Sequence, residues 1–284
     1  MITNCNATRA QFTRNYLMRM EGTLFHYNWH KRKDLIECRV EMRKAAEMIC
    51  QAQKTVALTG AGISVESGIP DFRSAGGLWE RFDPMEYGTI DAFRANPEKV
   101  WRMLREMSGV ISRARPNPAH KGLARLQEMG LLHTIITQNI DNLHQEAGST
   151  HVIEYHGNSR TLSCLRCDRQ YRADDLTGDV PPKCACDNIL KPDVVFFGEA
   201  IPTKPVRMSH ELASSCQVLL VVGTSATVSP ANSIPQIARM AKAKIIEINI
   251  EPTVLTAHIT DIFLQGKASE VVTGLVDEVE RMMR

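Results

Sequence analysis

Residues 58–74 read LTGAGISVESGIPDFRS, and the start of this stretch decides the fold class. TVALTGAG (55–62) is a short apolar run closed by two glycines, Gly60 and Gly62. A buried strand ending in a glycine turn is where an open α/β sheet receives a phosphate, on backbone N–H groups at a helix N-terminus. Upstream, VEMRKAAEMICQAQ (40–53) places Val40, Met42, Ala46, Ile49 and Cys50 at helical spacing and runs directly into that strand. Downstream, LLHTIIT (131–137), VIEY (152–155), VLLVVGT (218–224), AKIIEINI (243–250) and ITDIFLQ (259–265) are short, Ile/Val-rich and continuous, the pattern of strands covered on both faces. PAHKGLARLQEMG (118–130) and SIPQIARMAKA (233–243) supply helices between them. The alternation predicts a doubly wound, Rossmann-like parallel sheet.

Two segments break the alternation. Residues 75–115, with PEKVWRMLREMSGVISRA, predict a helical insert, and 158–197 carry a cysteine cluster that predicts a small separate module. The expected organisation is an N-terminal extension over 1–38, flexible, followed by one catalytic unit over 39–284 with a cleft where the modules meet the sheet. The extension carries Arg9, Arg14 and Arg19 and no acid before Glu21, which is also the composition of a mitochondrial presequence. The default expectation for the rest is the cytosol.

The 284 residues are 43% hydrophobic, enough for a large core, and the formal net charge of +2 gives no basic field suited to nucleic acid. No apolar run reaches membrane-spanning length. Of eight cysteines, Cys5, Cys38, Cys50 and Cys216 are scattered. Cys164-x₂-Cys167, sixteen residues, then Cys184-x-Cys186 is the spacing of a zinc ribbon. Four thiolates make a closed, structural Zn²⁺ site, although CxC is tighter than the commoner CxxC; the alternative reading is free or redox-active thiols.

Within the opening stretch the third glycine of GxGxxG falls on Val65, and no acid follows a second strand some twenty residues on. Both absences argue against a hydride-transfer enzyme. His156 follows a predicted strand and precedes Gly157, and an imidazole there can act as a general base or serve packing. Asn139 and Asp141, in QNID, stand at the end of the second strand, where ligands sit or where a helix is capped.

GAGISVESGIPDFRS (60–74), TQNIDNLHQEAG (137–148), EYHGN (154–158), the paired cysteines, KPDVVFFGE (191–199), GTSATVSPA (223–231) and INIEPT (248–253), in this order, resemble the sirtuins, NAD-dependent protein deacylases. The resemblance runs from about residue 40 to the C-terminus. It implies that the nucleotide loop holds NAD so that the nicotinamide–ribose bond is broken: the acyl-lysine amide oxygen attacks C1′, nicotinamide leaves, and the acyl group ends on ADP-ribose. It assigns His156 as the base acting on a ribose hydroxyl and so driving collapse of the alkylimidate. Asp141 would hold the nicotinamide carboxamide, Asn139 would work near the reacting ribose, and Gln138 would bond ribose hydroxyls. Gly60, Ala61, Gly62, Ser64, Asp71, Phe72, Arg73, Gly223, Thr224, Ser225, Asn249 and Ala268 map onto further cofactor positions, with Phe72 shielding C1′. Val195, Phe196, Gly198 and Val228 map onto the substrate strand's flanks, Val195 taking the acyl-lysine amide N–H and Phe196 lining its tunnel; read alone, VVFFGE is one more buried strand.

Members that prefer succinyl or malonyl lysine carry Tyr-x-x-Arg in the insert. Aligned on Val100-Trp101, the corresponding positions are Leu104 and Met107, which cannot hold a carboxylate, with Arg102 and Arg105 nearby if the register slips. Acetyl or a longer apolar chain is expected. The competing readings are a mono-ADP-ribosyltransferase on the same cofactor and a zinc-ribbon binding module. The latter is disfavoured because Asp168, Asp174, Asp175, Asp179 and Asp187 offset Arg166, Arg169, Arg172 and Lys183.

Overall fold

A computed structural model describes residues 39–71, 78–176 and 181–284. The 1–38 extension, Phe72 and Arg73 lie outside the described residues. Among the described residues, nine strands form two sheets. β1 (Thr55–Thr59), β2 (Thr134–Thr137), β3 (Val152–Glu154), β7 (Val218–Val222), β8 (Lys244–Asn249) and β9 (Ile262–Gln265) make the large sheet, in the order β3-β2-β1-β7-β8-β9. Every pairing in it is parallel. The order reverses between β1 and β7, so the doubly wound expectation holds and the ligand crevice belongs at their carboxyl ends.

All five residues of β1 and of β7 are buried, because both faces of the sheet are covered. Alternate residues serve opposite layers. Ala57, Leu220 and Ile246 pack with Ala46, Leu123, Val272 and Leu275 from the helices across 39–51, Pro118–Glu128 and Ala268–Met282. Leu58, Leu219 and Ile245 pack with Ala213, Ile234 and Ala238 from helices Thr203–Ser215 and Ser233–Met240.

β4 (Gly157–Cys164), β5 (Gln170–Arg172) and β6 (Leu190–Val194) form a small antiparallel sheet in the order β5-β4-β6. Pro192 sits in β6, an edge strand, where a missing N–H is tolerated. The insert is a chain of short helices whose boundaries the sequence writes as Asp83-Pro84, Thr89 and Asn96-Pro97: each polar side chain accepts a backbone N–H of the helix it begins, from Met85, Ala92 and Lys99. Its longest member, Pro97–Arg113, buries Val100, Met103 and Leu104.

Two local expectations change. After β1 the chain makes two single 3₁₀ turns, Ala61–Ile63 and Val65–Ser67, where an α-helix N-terminus was expected. The cause is contact across the switch point: Gly62 N–H donates to the Gly223 carbonyl at 2.8 Å, which holds the chain against the β7 turn. VVFFGE is not a buried strand either, since β6 ends at Val194 and Phe197 is 45% exposed.

Candidate active site

The crevice floor is built from glycine. A Cβ on Gly60 would fall 2.7 Å from Thr224 Cβ, one on Gly62 2.8 Å from Gly223 Cα, and one on Gly223 2.3 Å from the Ile63 nitrogen. Gly223 also has φ +61°, a left-handed conformation that favours glycine. These glycines let two loops touch, a demand separate from the approach of a phosphate. Around them the carboxyl ends of β1, β2, β7 and β8 collect polar side chains. Gln138 Nε2 donates to Thr224 Oγ1 at 3.0 Å, and Asn249 Nδ2 to the Thr224 carbonyl at 3.2 Å. Thr224 is buried and Ser225 exposed beside it, its hydroxyl 3.0 Å from that of Thr227. A glycine-floored crevice with amide and hydroxyl groups around it, at the sheet's reversal, fits a dinucleotide.

Ser64 is the centre of a second cluster. Its hydroxyl donates to Asp141 Oδ2 at 2.7 Å and accepts from Asn139 Nδ2 at 3.1 Å, while Asn139 Nδ2 also reaches the Gly60 carbonyl. Asp141 is buried and its other oxygen accepts the Leu143 N–H. Two histidines that sequence reasoning missed complete the cluster. His120 Nδ1 accepts the Asn117 N–H, which leaves Nε2–H facing Ser64 Oγ at 3.4 Å. His144 Nε2 lies 2.9 Å from Thr59 Oγ1, which bonds Thr137 Oγ1 in turn, and the two imidazoles meet edge to face at 4.9 Å. Burial lowers the His120 pKa to about 4 against the opposing charge of Asp141, and that of His144 to about 3, so both are neutral. The available sequence signals were Asn117 before Pro118, an N-cap with His120 three residues on, and the tetrad end DNLH.

His156 stands between β3 and β4. Its Nδ1–H donates to the Gln138 carbonyl at 3.0 Å, so Nε2 is the free, basic nitrogen. Burial lowers its pKa, partly offset by that carbonyl. Gly157 pins it: φ is +75°, and a Cβ there would lie 1.9 Å from the Asp193 carbonyl oxygen. Only glycine fits.

The His156 carbonyl accepts the Val195 N–H at 2.9 Å, which ties the histidine to the segment after β6. Val195 is half-buried and Val228 likewise, at the turn after β7. Phe196 is buried, packed on Phe93 at 5.7 Å in the insert's apolar cluster with Met103, Leu104 and Met107. Its neighbour Phe197 is the exposed ring of the pair. Gly198 is exposed at φ +78°. Leu104 is buried, Met107 half-buried, and Arg102 and Arg105 are exposed. Asp71 is half-buried at the edge of the described residues. Ala268 opens the last helix with its methyl in the core, leaving only its backbone for a ligand, and the next N–H, of Ser269, donates to Glu66.

The four clustered cysteines converge, their sulfurs all within 4.8 Å of one another. Cys164–Cys186 and Cys167–Cys184 are 3.5 Å apart and Cys167–Cys186 3.7 Å. Tetrahedral Zn–S bonds of about 2.3 Å put sulfurs roughly 3.8 Å apart. The donor set therefore fits zinc, with no open ligand position. Tyr171, hydrogen-bonded to Cys184, is the first cause that lowers this thiol to about 6, toward the thiolate a metal needs.

The Sir2 family model matches residues 60–230. An NAD-dependent protein deacylase 2 from Pyrobaculum aerophilum is 48% identical over 84% of this chain and 96% of its own length. An NAD-dependent protein deacylase from Pyrococcus furiosus is 43% identical over 85% of this chain and 99% of its own length. Among solved structures, a Sir2 homolog–NAD complex superposes with a TM-score of 0.80 at 41% identity, covering 85% of this chain and 94% of that one. Sir2Af2 bound to a myristoylated histone peptide superposes at 0.74 and 38% identity, covering 86% and 98%. A family model that matches more than half of the chain, and relatives 43% and 48% identical along nearly their whole length, establish that the chain belongs to the Sir2 family.

Proposed function

We propose that the chain is an NAD-dependent protein lysine deacylase whose catalytic unit spans 39–284, the 1–38 extension lying outside it. NAD supplies the scissile nicotinamide–ribose bond. The observation that carries this reading is the placing of the base: Gln138 holds the His156 imidazole by its carbonyl and the nucleotide crevice by its side chain, so one residue joins the proton acceptor to the cofactor loop.

His156 Nε2 takes a proton from a ribose hydroxyl, and its lowered pKa keeps it neutral for that task. Asn139, through Ser64, holds the Asp141 carboxylate, which would receive the nicotinamide amide; Gln138, Ala61, Ser225 and Asn249 would hold the rest of the cofactor, together with Phe72 and Arg73 as the family resemblance assigns them. The peptide runs between Val195 and Val228 as an added strand. The apolar cluster at Leu104 and Met107 favours acetyl or longer apolar chains over succinyl. The near-neutral charge suits a protein partner better than nucleic acid, and no helix among the described residues is long and apolar enough to cross a membrane. Cys50 and Cys216, unpaired thiols, suit a reducing compartment such as the cytosol.

The test is mass spectrometry of an acetyl-lysine peptide with and without NAD, beside His156→Ala and a succinyl-lysine peptide. Expected are NAD-dependent loss of acetyl with release of nicotinamide, slower desuccinylation, and a rate about 10²–10⁴ lower in the variant, the usual worth of a general base. A peptide that gains ADP-ribose would replace this reading with transferase activity.

A further inference from the structure

A lysine is buried beside the substrate segment. Lys191 is 5% exposed, and its ammonium donates to the Pro192 and Val194 carbonyls at 3.1 and 2.8 Å, lies 3.0 Å from Glu199 Oε2, and sits 5.0 Å from the Phe196 ring centroid. The same carboxylate oxygen accepts the Phe196 N–H at 3.0 Å. A buried ammonium is costly unless every proton is placed, and here each has an acceptor. The pair closes 191–199 on itself and consumes the polar backbone on either side of Val195: the Val194 carbonyl and the Phe196 N–H. Between them the Val195 N–H goes to the His156 carbonyl, and no donor among the described residues reaches the Val195 carbonyl.

We propose that Lys191 and Glu199 are positioning residues for the peptide substrate. Their clamp fixes 194–197 so that the Val195 carbonyl faces the acyl-lysine backbone, and the same fixed segment braces His156 through its own carbonyl. The cofactor crevice is untouched by either residue. The inference rests on the deacylase reading for the location of the peptide, and on nothing else in it.

The experiment uses the full chain, zinc-loaded, as wild type, Lys191→Met, Lys191→Arg and Glu199→Gln. Three quantities are read: affinity for a fluorescent acetyl-lysine peptide, affinity for NAD, and backbone hydrogen exchange. In Lys191→Met the peptide Kd should rise about tenfold or more, the scale of a lost hydrogen bond to a charged group, with NAD affinity held within about twofold. Exchange should accelerate over 194–199 and stay unchanged in β1 and β7. Glu199→Gln should give a smaller shift in the same direction, and Lys191→Arg should recover most of the peptide affinity. Unchanged peptide affinity in Lys191→Met, an equal loss of NAD affinity, or exchange that spreads into β1 and β7 would overturn the clamp. So would a Lys191→Met chain that fails to fold while Lys191→Arg and Glu199→Gln bind peptide like wild type. A wild type that binds the peptide and never consumes NAD removes the deacylase reading alone, because binding and exchange still report on the clamp.

Discussion

His156 is oriented by one hydrogen bond and neutralised by its surroundings. An ordinary imidazole loses its proton near pH 6.5, and burial moves His156 below that. The basic form therefore persists to lower pH. If the imidazole is the essential base, the acid limb of kcat/KM against pH should have its midpoint below about 6.5 and should vanish from the residual rate of His156→Ala. A midpoint above 6.5 would mean that another group limits the rate. The value of Gly157 was hidden in the sequence for a related reason: a glycine after a histidine reads as a turn, and only the Asp193 carbonyl lying across it shows that no Cβ can stand there.

At the level of elements, the small sheet depends on its cysteines. Leu162, Cys164, Cys184 and Leu190 form a compact buried cluster, with little apolar surface to hold three strands. A zinc ion held by the four thiolates would supply what that core lacks. Removal by a strong chelator should melt β4–β6 and abolish turnover, and returning Zn²⁺ should restore both, as followed by amide exchange and metal analysis. Retained turnover in protein proven metal-free would separate the site from activity. Strand and helix positions were legible because apolar runs and N-caps are local signals. The end of β6 was not: LKPDV, with a lysine and a proline, carries no strand pattern, and the buried Lys191 is satisfied by Glu199, eight residues on, together with the Pro192 and Val194 carbonyls. The 3₁₀ turns after β1 were equally hidden, since they answer to Gly223 from a distant strand.

The whole molecule gathers buried groups that no local pattern joins. His120 comes from the helix Pro118–Glu128 and His144 from the single helical turn Leu143–Glu146 after β2, and the fold sets them edge to face beside Ser64. Both are held neutral, with folded pKa values of about 4 and about 3 against about 6.5 in the open chain. Between those values the unfolded chain binds the extra protons, so stability rises with pH there and is lost on acidification. The melting temperature should fall as pH drops from about 6.5 toward 4, and His120→Gln should flatten the decline; identical slopes in both proteins would exclude His120 as a source.

Gln138 links two parts of the site. It touches the imidazole with its main chain and the β7 loop with its side chain, while Gly60, Gly62 and Gly223 leave that loop no slack. The direction of the imidazole and the packing of the crevice wall are therefore set by the same residue, one through its carbonyl and the other through its amide.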